Sequence, residues 1–180
     1  QKEGVICTPH LGASTEEAQT QVAVEAVELA VNFLTTGAVR HAVNVAAVDP
    51  KTLEALAGYL ELSYRMGIFL DQWDEGGVQS VKIEYRGHVA DEDTKLLTAS
   101  LCAGLLNEAL EDSVNIVNSQ VLLKERGIEV SEFHSSEMAA FASSMTVTLT
   151  TDKGSYTAGG TVFGNNMPRL IRLDDMRLES

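Results

Sequence analysis

Apolar residues recur at helical spacing in the first half of the chain and alternate at strand spacing in much of the second. Val5-Ile6-Cys7 is a short apolar run bounded by Gly4 and Pro9, the form of a buried strand that ends in a turn. Ser14 followed three positions on by Glu17 has the form of a capping box. Ala18, Val22, Ala26, Leu29, Ala30 and Phe33 then share one helical face, so the pattern predicts a helix from Ser14 to about Thr35, ended by Gly37. Asp49 as N-cap and Pro50 at the first helical position open a second helix through Leu53, Leu56, Leu60, Met66 and Phe69 to about Trp73, with Gly58 and Gly67 as interruptions. Gly76-Gly77 breaks it. Val81, Ile83 and Tyr85 alternate with Lys82 and Glu84, which predicts a half-buried strand over 78–86.

A broad stripe of Leu96, Leu97, Leu101, Leu105 and Leu106 predicts a helix over 91–110, and a shorter one over 117–126 ends at Gly127. Val, Thr, Tyr and Ile dominate afterwards. Strands are expected over 128–133, 144–150, 155–163 and 170–173, with Asp152-Lys153-Gly154 as the hairpin turn between the second and third. From residue 50 onward this is an α+β arrangement: a mainly antiparallel sheet covered by helices on one face.

Charge narrows the partners. With 13 Lys+Arg against 26 Asp+Glu, the formal net charge is -13, so the surface repels polyanions and argues against nucleic acid. A hydrophobic content of 44% is that of a packed domain and not of an acidic disordered tail. Cys7 and Cys102 match no disulfide or zinc spacing, which points to a reducing cytoplasm, with Cys102 as core. No apolar run approaches the roughly 18 residues of a membrane span, and Gln1-Lys2-Glu3-Gly4 opens no signal peptide, so no membrane partner is expected.

The stretch Thr8-Pro9-His10-Leu11-Gly12-Ala13-Ser14-Thr15-Glu16-Glu17-Ala18-Gln19 puts a histidine on a glycine-containing turn directly before a helix. It resembles the catalytic-histidine turn of the D-2-hydroxyacid dehydrogenases, and its continuation is similar to the D-3-phosphoglycerate dehydrogenase branch. His41 to Pro50 resembles the linker that follows the catalytic unit there, with Ala46 where a proline usually stands. The strand Val81-Lys82-Ile83-Glu84-Tyr85-Arg86-Gly87, the helix with Gly104-Leu105-Leu106, and the stretch Val114 to Ser119 follow in the order of the intervening domain of long-form enzymes. Glu125-Arg126-Gly127 and Gly160 to Gly164 before Pro168-Arg169 complete that order. The resemblance implies three parts. Residues 1–40 would be the end of a nucleotide-binding unit, a strand-turn-helix remnant of an α/β dinucleotide-binding domain. Residues 41–49 would be a linker, and 50–180 the intervening regulatory domain. It also implies a piece of a larger enzyme, whose small ligand-binding ACT domain would begin about where Ser180 stands.

Such an enzyme oxidises 3-phosphoglycerate with NAD to 3-phosphohydroxypyruvate in serine biosynthesis, so the implied partner is a phosphorylated hydroxy acid, in a homo-oligomer. His10 is the catalytic candidate: an imidazole titrates near neutral pH and can take the hydroxyl proton as hydride leaves the same carbon. The resemblance implies that its carboxylate partner and the substrate-binding arginine lie upstream of Gln1, and that Gly12 and Ala13 let the backbone approach the nicotinamide end of NAD. The plainer reading of His10 is a surface histidine before a helix cap.

Gly159-Gly160-Thr161-Val162-Phe163-Gly164 lies in strand-like sequence and opens no helix, so a bulge or a close packing point is expected there instead of a phosphate loop. His41, His88 and His134 are scattered, and His134 with Glu137 is one isolated pair, so no metal site is expected. Arg169, Arg172 and Arg177 cluster in an otherwise acidic chain, and a guanidinium suits phosphate or carboxylate. Arg169, aided by Arg172 or Lys153, is the candidate allosteric anion site, against a solvated strand end balancing Asp174, Asp175 and Glu179. Two rivals to the enzyme reading stay open: a noncatalytic anion-sensing module, and an oligomerisation domain without a ligand.

Overall fold

The computed structural model describes residues 9, 11–36, 40–41, 50–73, 76–107, 114–164 and 166–178. The chain divides into two compact units, Gln1–Pro50 and Lys51–Ser180. His10, the expected strand at Val5-Ile6-Cys7, the Gly37 helix end, most of the linker and the Asp49 cap lie outside the described residues.

In the first unit, helix α1 (Glu16–Thr36) follows a turn in which the Ser14 amide and hydroxyl both donate to the Leu11 carbonyl oxygen, at 3.1 and 2.6 Å. The cap is therefore one residue later than expected. Thr15 Oγ1 accepts the Ala18 amide at 3.1 Å, which leaves Ser14 to close the turn and Glu17 outside any capping box.

The second unit is two layers. Helix α2 (Pro50–Trp73) runs unbroken through Gly58 and Gly67, which are packing points and not the expected interruptions. Strand β1 (Val78–Gly87) leads through a 3-10 turn (His88–Asp91) to helix α3 (Lys95–Leu105), which starts four residues later than its apolar stripe suggested. Asp93 Oδ1 accepts the Lys95 amide at 3.2 Å, so the polar run before Lys95 is used as a turn. Residues 108–113 lie outside the described residues. Helix α4 (Ser119–Glu125) begins after Asn115 Oδ1 has accepted the amides of Val117 and Asn118, an Asx turn that delays the helix past Val117.

Strands β2 (Glu129–Ser135), β3 (Ser143–Thr151), β4 (Ser155–Phe163), β5 (Met167–Leu173) and the unanticipated β6 (Met176–Arg177) complete a six-stranded sheet of order β2-β1-β3-β4-β5-β6. Only the β1–β2 pair is parallel, joined by the crossover through α3 and α4; the rest is antiparallel, and the α+β expectation holds.

The core lies between the sheet and the helices. Val81, Ile83 and Tyr85 of β1, with Met145, Val147 and Leu149 of β3, meet Leu62, Met66 and Leu70 of α2 and Leu97 and Leu101 of α3. Helix α3 is buried from Leu96 to Leu105, which fits a segment apolar on every side. Cys102 and Leu106 pack with Leu123 of α4 in a smaller cluster. Helices α2 and α3 cross at two glycines: a Cβ on Gly104 would run into the Tyr64 carbonyl oxygen and lie 3.1 Å from Gly67 Cα, and one on Gly67 would lie 2.9 Å from Gly104 Cα.

Gly104→Ala should accordingly destabilise the chain by about 1–3 kcal/mol, the usual cost of overpacking. Gly77→Ala is the control, because its nearest neighbour, the Asp152 carboxylate, would lie 3.9 Å away. Urea denaturation followed by far-UV circular dichroism should show a lower midpoint for the first variant alone; equal midpoints would contradict the close crossing.

Candidate functional site

The expected cofactor contacts, Gly12 and Ala13, sit in the exposed turn before α1, and among the described residues a Cβ on Gly12 would meet nothing within 4 Å. His10 itself lies outside the described residues.

The cations of the candidate anion site lie at different points along the sheet. Lys153 is at the tip of the β3–β4 hairpin, where Thr151 Oγ1 accepts its amide at 3.1 Å. Arg172 of β5 pairs with Gly159 of β4, and Arg169 pairs with Thr161. At about 3.3 Å per residue, Arg172 is roughly 13 Å or more along the strands from that tip, and Arg169 is farther.

Arg169 instead lines a cleft of about 250 Å³ between α2 and β5, together with Arg65 and the apolar side chains of Leu62, Met66 and Phe69. Its Nη1 donates to the Pro168 carbonyl oxygen at 3.0 Å. Arg65 pairs with Glu61 one helical turn away, both largely exposed, and such a pair yields readily to a competing anion. The cleft is smaller than pockets for drug-sized ligands, about 300–1,000 Å³, and has room for an oxyanion with a short apolar part. Sequence reading missed Arg65; its helical register with Leu62 and Met66 was the available signal.

Sequence reading also missed a polar cluster at the parallel edge of the sheet. His134 associates with Glu132, two residues back on the same face of β2, and not with Glu137. Buried Thr94 lies 2.8 Å from His134 Nε2 and donates its hydroxyl to Glu132 Oε2 at 3.1 Å. That hydroxyl has one proton, so Nε2 is the donor toward Thr94 and the tautomer is set. A hydroxyl, an imidazole and a carboxylate are the parts of a nucleophilic triad, but the order is wrong: the carboxylate takes the hydroxyl proton and no base faces it. The cluster is a clasp between α3 and β2. Its neighbour Tyr85 stacks on His134 at 5.4 Å and bonds Thr98 Oγ1 at 2.9 Å. Among the described residues no group of three His, Cys, Asp or Glu is placed to hold a metal ion, and no helix is long and apolar enough to cross a membrane.

Burial pushes the Cys102 thiol up from 9.0 to about 12, with the Glu132 carboxylate adding to the rise, and burial likewise raises the Tyr85 phenol. The folded state thus holds the Cys102 proton where the unfolded chain releases it. Stability is unaffected below the ordinary thiol range and falls as pH rises above about 9, by up to roughly 1.4 kcal/mol per unit. Denaturation midpoints measured between pH 8 and 10 should decline in the unmodified chain and less steeply in Cys102→Ala; parallel declines would remove the thiol as the cause.

Comparison with known proteins places this architecture. Residues 55–174 match the model of the D-3-phosphoglycerate dehydrogenase intervening domain. The D-3-phosphoglycerate dehydrogenase of Synechocystis sp. is 34% identical over 172 residues, covering 95% of this chain and 31% of that protein. The Bacillus subtilis enzyme of the same name is 31% identical over 175 residues, covering 97% of this chain and 33% of its own length. The Archaeoglobus fulgidus enzyme is 30% identical, with 96% and 32% covered. The chain thus spans about a third of the length of these curated relatives.

Proposed function

The chain belongs to the D-3-phosphoglycerate dehydrogenase family, and we propose that it is the intervening, regulatory part of an NAD-dependent enzyme that converts 3-phosphoglycerate to 3-phosphohydroxypyruvate in serine biosynthesis, in the cytoplasm. The match of residues 55–174 to the intervening-domain model carries this reading. His10 is the general acid/base at the edge of the catalytic unit. NAD, when bound, accepts the hydride; Gly12 and Ala13 contribute a backbone edge that the open turn leaves accessible. The chain contains no Gly-x-Gly-x-x-Gly phosphate loop opening a helix, so by itself it should form no NADH from 3-phosphoglycerate. In the full-length enzyme, His10→Ala should lower kcat by about 10²–10⁴-fold while NAD affinity is retained. A near-normal rate would remove His10 from the mechanism.

The regulatory role rests on Arg169. Two guanidinium groups at the rim of a small apolar cleft support binding of phosphate or a phosphorylated hydroxy acid, with Arg65 taking the place expected of Arg172 or Lys153. A charge-assisted hydrogen bond contributes about 1.5–3 kcal/mol, so Arg169→Ala should weaken such binding roughly tenfold or more. Calorimetric titration of the chain with inorganic phosphate and with 3-phosphoglycerate tests this. No binding, or equal binding by both forms, would leave the domain as an assembly element. Separately, Val27, Val31 and Leu34 of α1, in the first unit, are 63%, 54% and 81% exposed, an apolar surface that supports self-association of the chain in a homo-oligomer.

A further inference from the structure

The face of the sheet away from the helices carries a groove of about 850 Å³, with Arg86, Arg172 and Arg177 on its walls. Strand order creates it. Arg86 lies at the end of β1, Arg172 on β5 and Arg177 on β6, and β3 and β4 form the floor between them. Opposite Arg172 stands Gly159, which leaves that register without a side chain, and Thr146 lies beyond it. Ser144, the partner of Arg86 across the strands, adds a second hydroxyl to the lining.

The charge of this groove opposes that of the chain. None of the three arginines forms an ion pair among the described residues; Arg172 spends only its Nε, on the Asp174 carbonyl oxygen at 2.6 Å. Glu84 is the acidic residue in the lining, and its carboxylate is held by Lys82 at 2.9 Å. Three guanidinium groups therefore converge on one concavity of a chain with net charge -13.

One end is aromatic, and Arg86, opposite Ser144 at the start of β3, stands nearer to it than Arg172 does. Phe141 and Phe163 meet edge to face at 5.8 Å, beside Ala139 and Ala140, and line the same groove. Phe163 is four positions along β4 from Gly159, about 13 Å at the usual strand rise. A flat ring lies well against aromatic faces, and guanidinium groups bind phosphate oxygens in pairs. A triose phosphate has no ring to place at the aromatic end.

From this juxtaposition we propose that the open sheet face is a binding site for a nucleoside phosphate, its base against Phe141 and Phe163, its phosphates against Arg172 and Arg177, and Arg86 on the wall between. This site is on the opposite side of the sheet from the Arg169 cleft and does not rest on the regulatory reading given above. Because its cations are exposed, binding should weaken as salt rises.

The test is calorimetric titration of the 180-residue chain with ADP, with inorganic phosphate and with 3-phosphoglycerate. ADP should bind saturably and at least tenfold more tightly than inorganic phosphate. Arg172→Ala should weaken ADP roughly tenfold, and Phe163→Leu several-fold without changing phosphate. Arg65→Ala, which alters the cleft from the helix side, should leave ADP binding as it was. Arg177→Ala provides a second cationic variant should Arg172→Ala lose its native circular dichroism. The proposal is overturned by absent saturation, by ADP binding no better than phosphate, or by ADP affinity indifferent to Phe163→Leu. It is equally overturned if the groove is occupied by a second copy of the chain, seen as a dimer in sedimentation that Arg172→Ala dissociates and ADP does not.

Discussion

The close crossing of α2 over α3 at Gly67 and Gly104 sets the depth at which everything else in the second unit packs. Backbone meets backbone there, so α2 lies low enough for Leu62 and Met66 to press on the sheet at Gly160, where a Cβ would come within 2.6 Å of Leu62 Cδ1. Glycine at that position is thus a consequence of the helix crossing. The same point of β4 is where pairing with β5 slips: Gly159 faces Arg172 and Gly160 faces Leu170, which leaves Ile171 as the extra residue of a bulge. The slip lets Leu170 pack against the core while Arg172 stays with the outward-facing Gly159 and Thr146.

Much of this was readable from the chain. Period-two alternation in β1 and β3 separates a core face of Val81, Ile83, Tyr85, Met145, Val147 and Leu149 from a polar face of Lys82, Glu84, Thr146 and Thr148, and it survives intact in the fold. The doubled glycine in β4 was read as a bulge or a close packing point, and it is both. What failed were local choices among near-equivalent residues. Ser14 and Thr15 can each cap a helix, and the hydrogen bond of Ser14 to Leu11 decides between them. Gly58 and Gly67 lower helix propensity by about 1 kcal/mol each, yet tertiary packing uses their missing side chains, and the helix continues.

The candidate sites were less readable, for a topological reason. Arg169, Arg172 and Arg177 cluster in sequence; in the fold Arg172 and Arg177 line the open groove while Arg169, whose partner Thr161 is two residues from Gly159 on β4, reaches the cleft beside α2. Arg65 and Arg86 come from elements far up the chain, and only the pairing of α2 with β5, and of β1 with β3, brings them to Arg169 and Arg172. The order β2-β1-β3-β4-β5-β6 puts β1 between β2 and β3 and sends β2 to the edge farthest from β6, and no motif announces it. Glu132 with His134 was the exception that could have been found, since residues two apart on a strand share a face whereas Glu137 lies past the end of β2.

Charge distribution connects these points. The carboxylates of this acidic chain are scattered over helices, strands and turns, where isolated exposed charges contribute little. Arg65 and Arg169 line one concavity and Arg86, Arg172 and Arg177 another, on opposite sides of one sheet, the first roofed by α2 and the second open. Self-repulsion of a chain at -13 is eased by any anion-free arrangement of those cations, and pairing them with surface carboxylates would have served stability as well. That Arg86, Arg172 and Arg177 have no carboxylate partner among the described residues is a choice stability does not require. Cations left without a carboxylate around a depression are what the proposed nucleoside-phosphate site requires, and their arrangement is the part of this domain that packing alone does not account for.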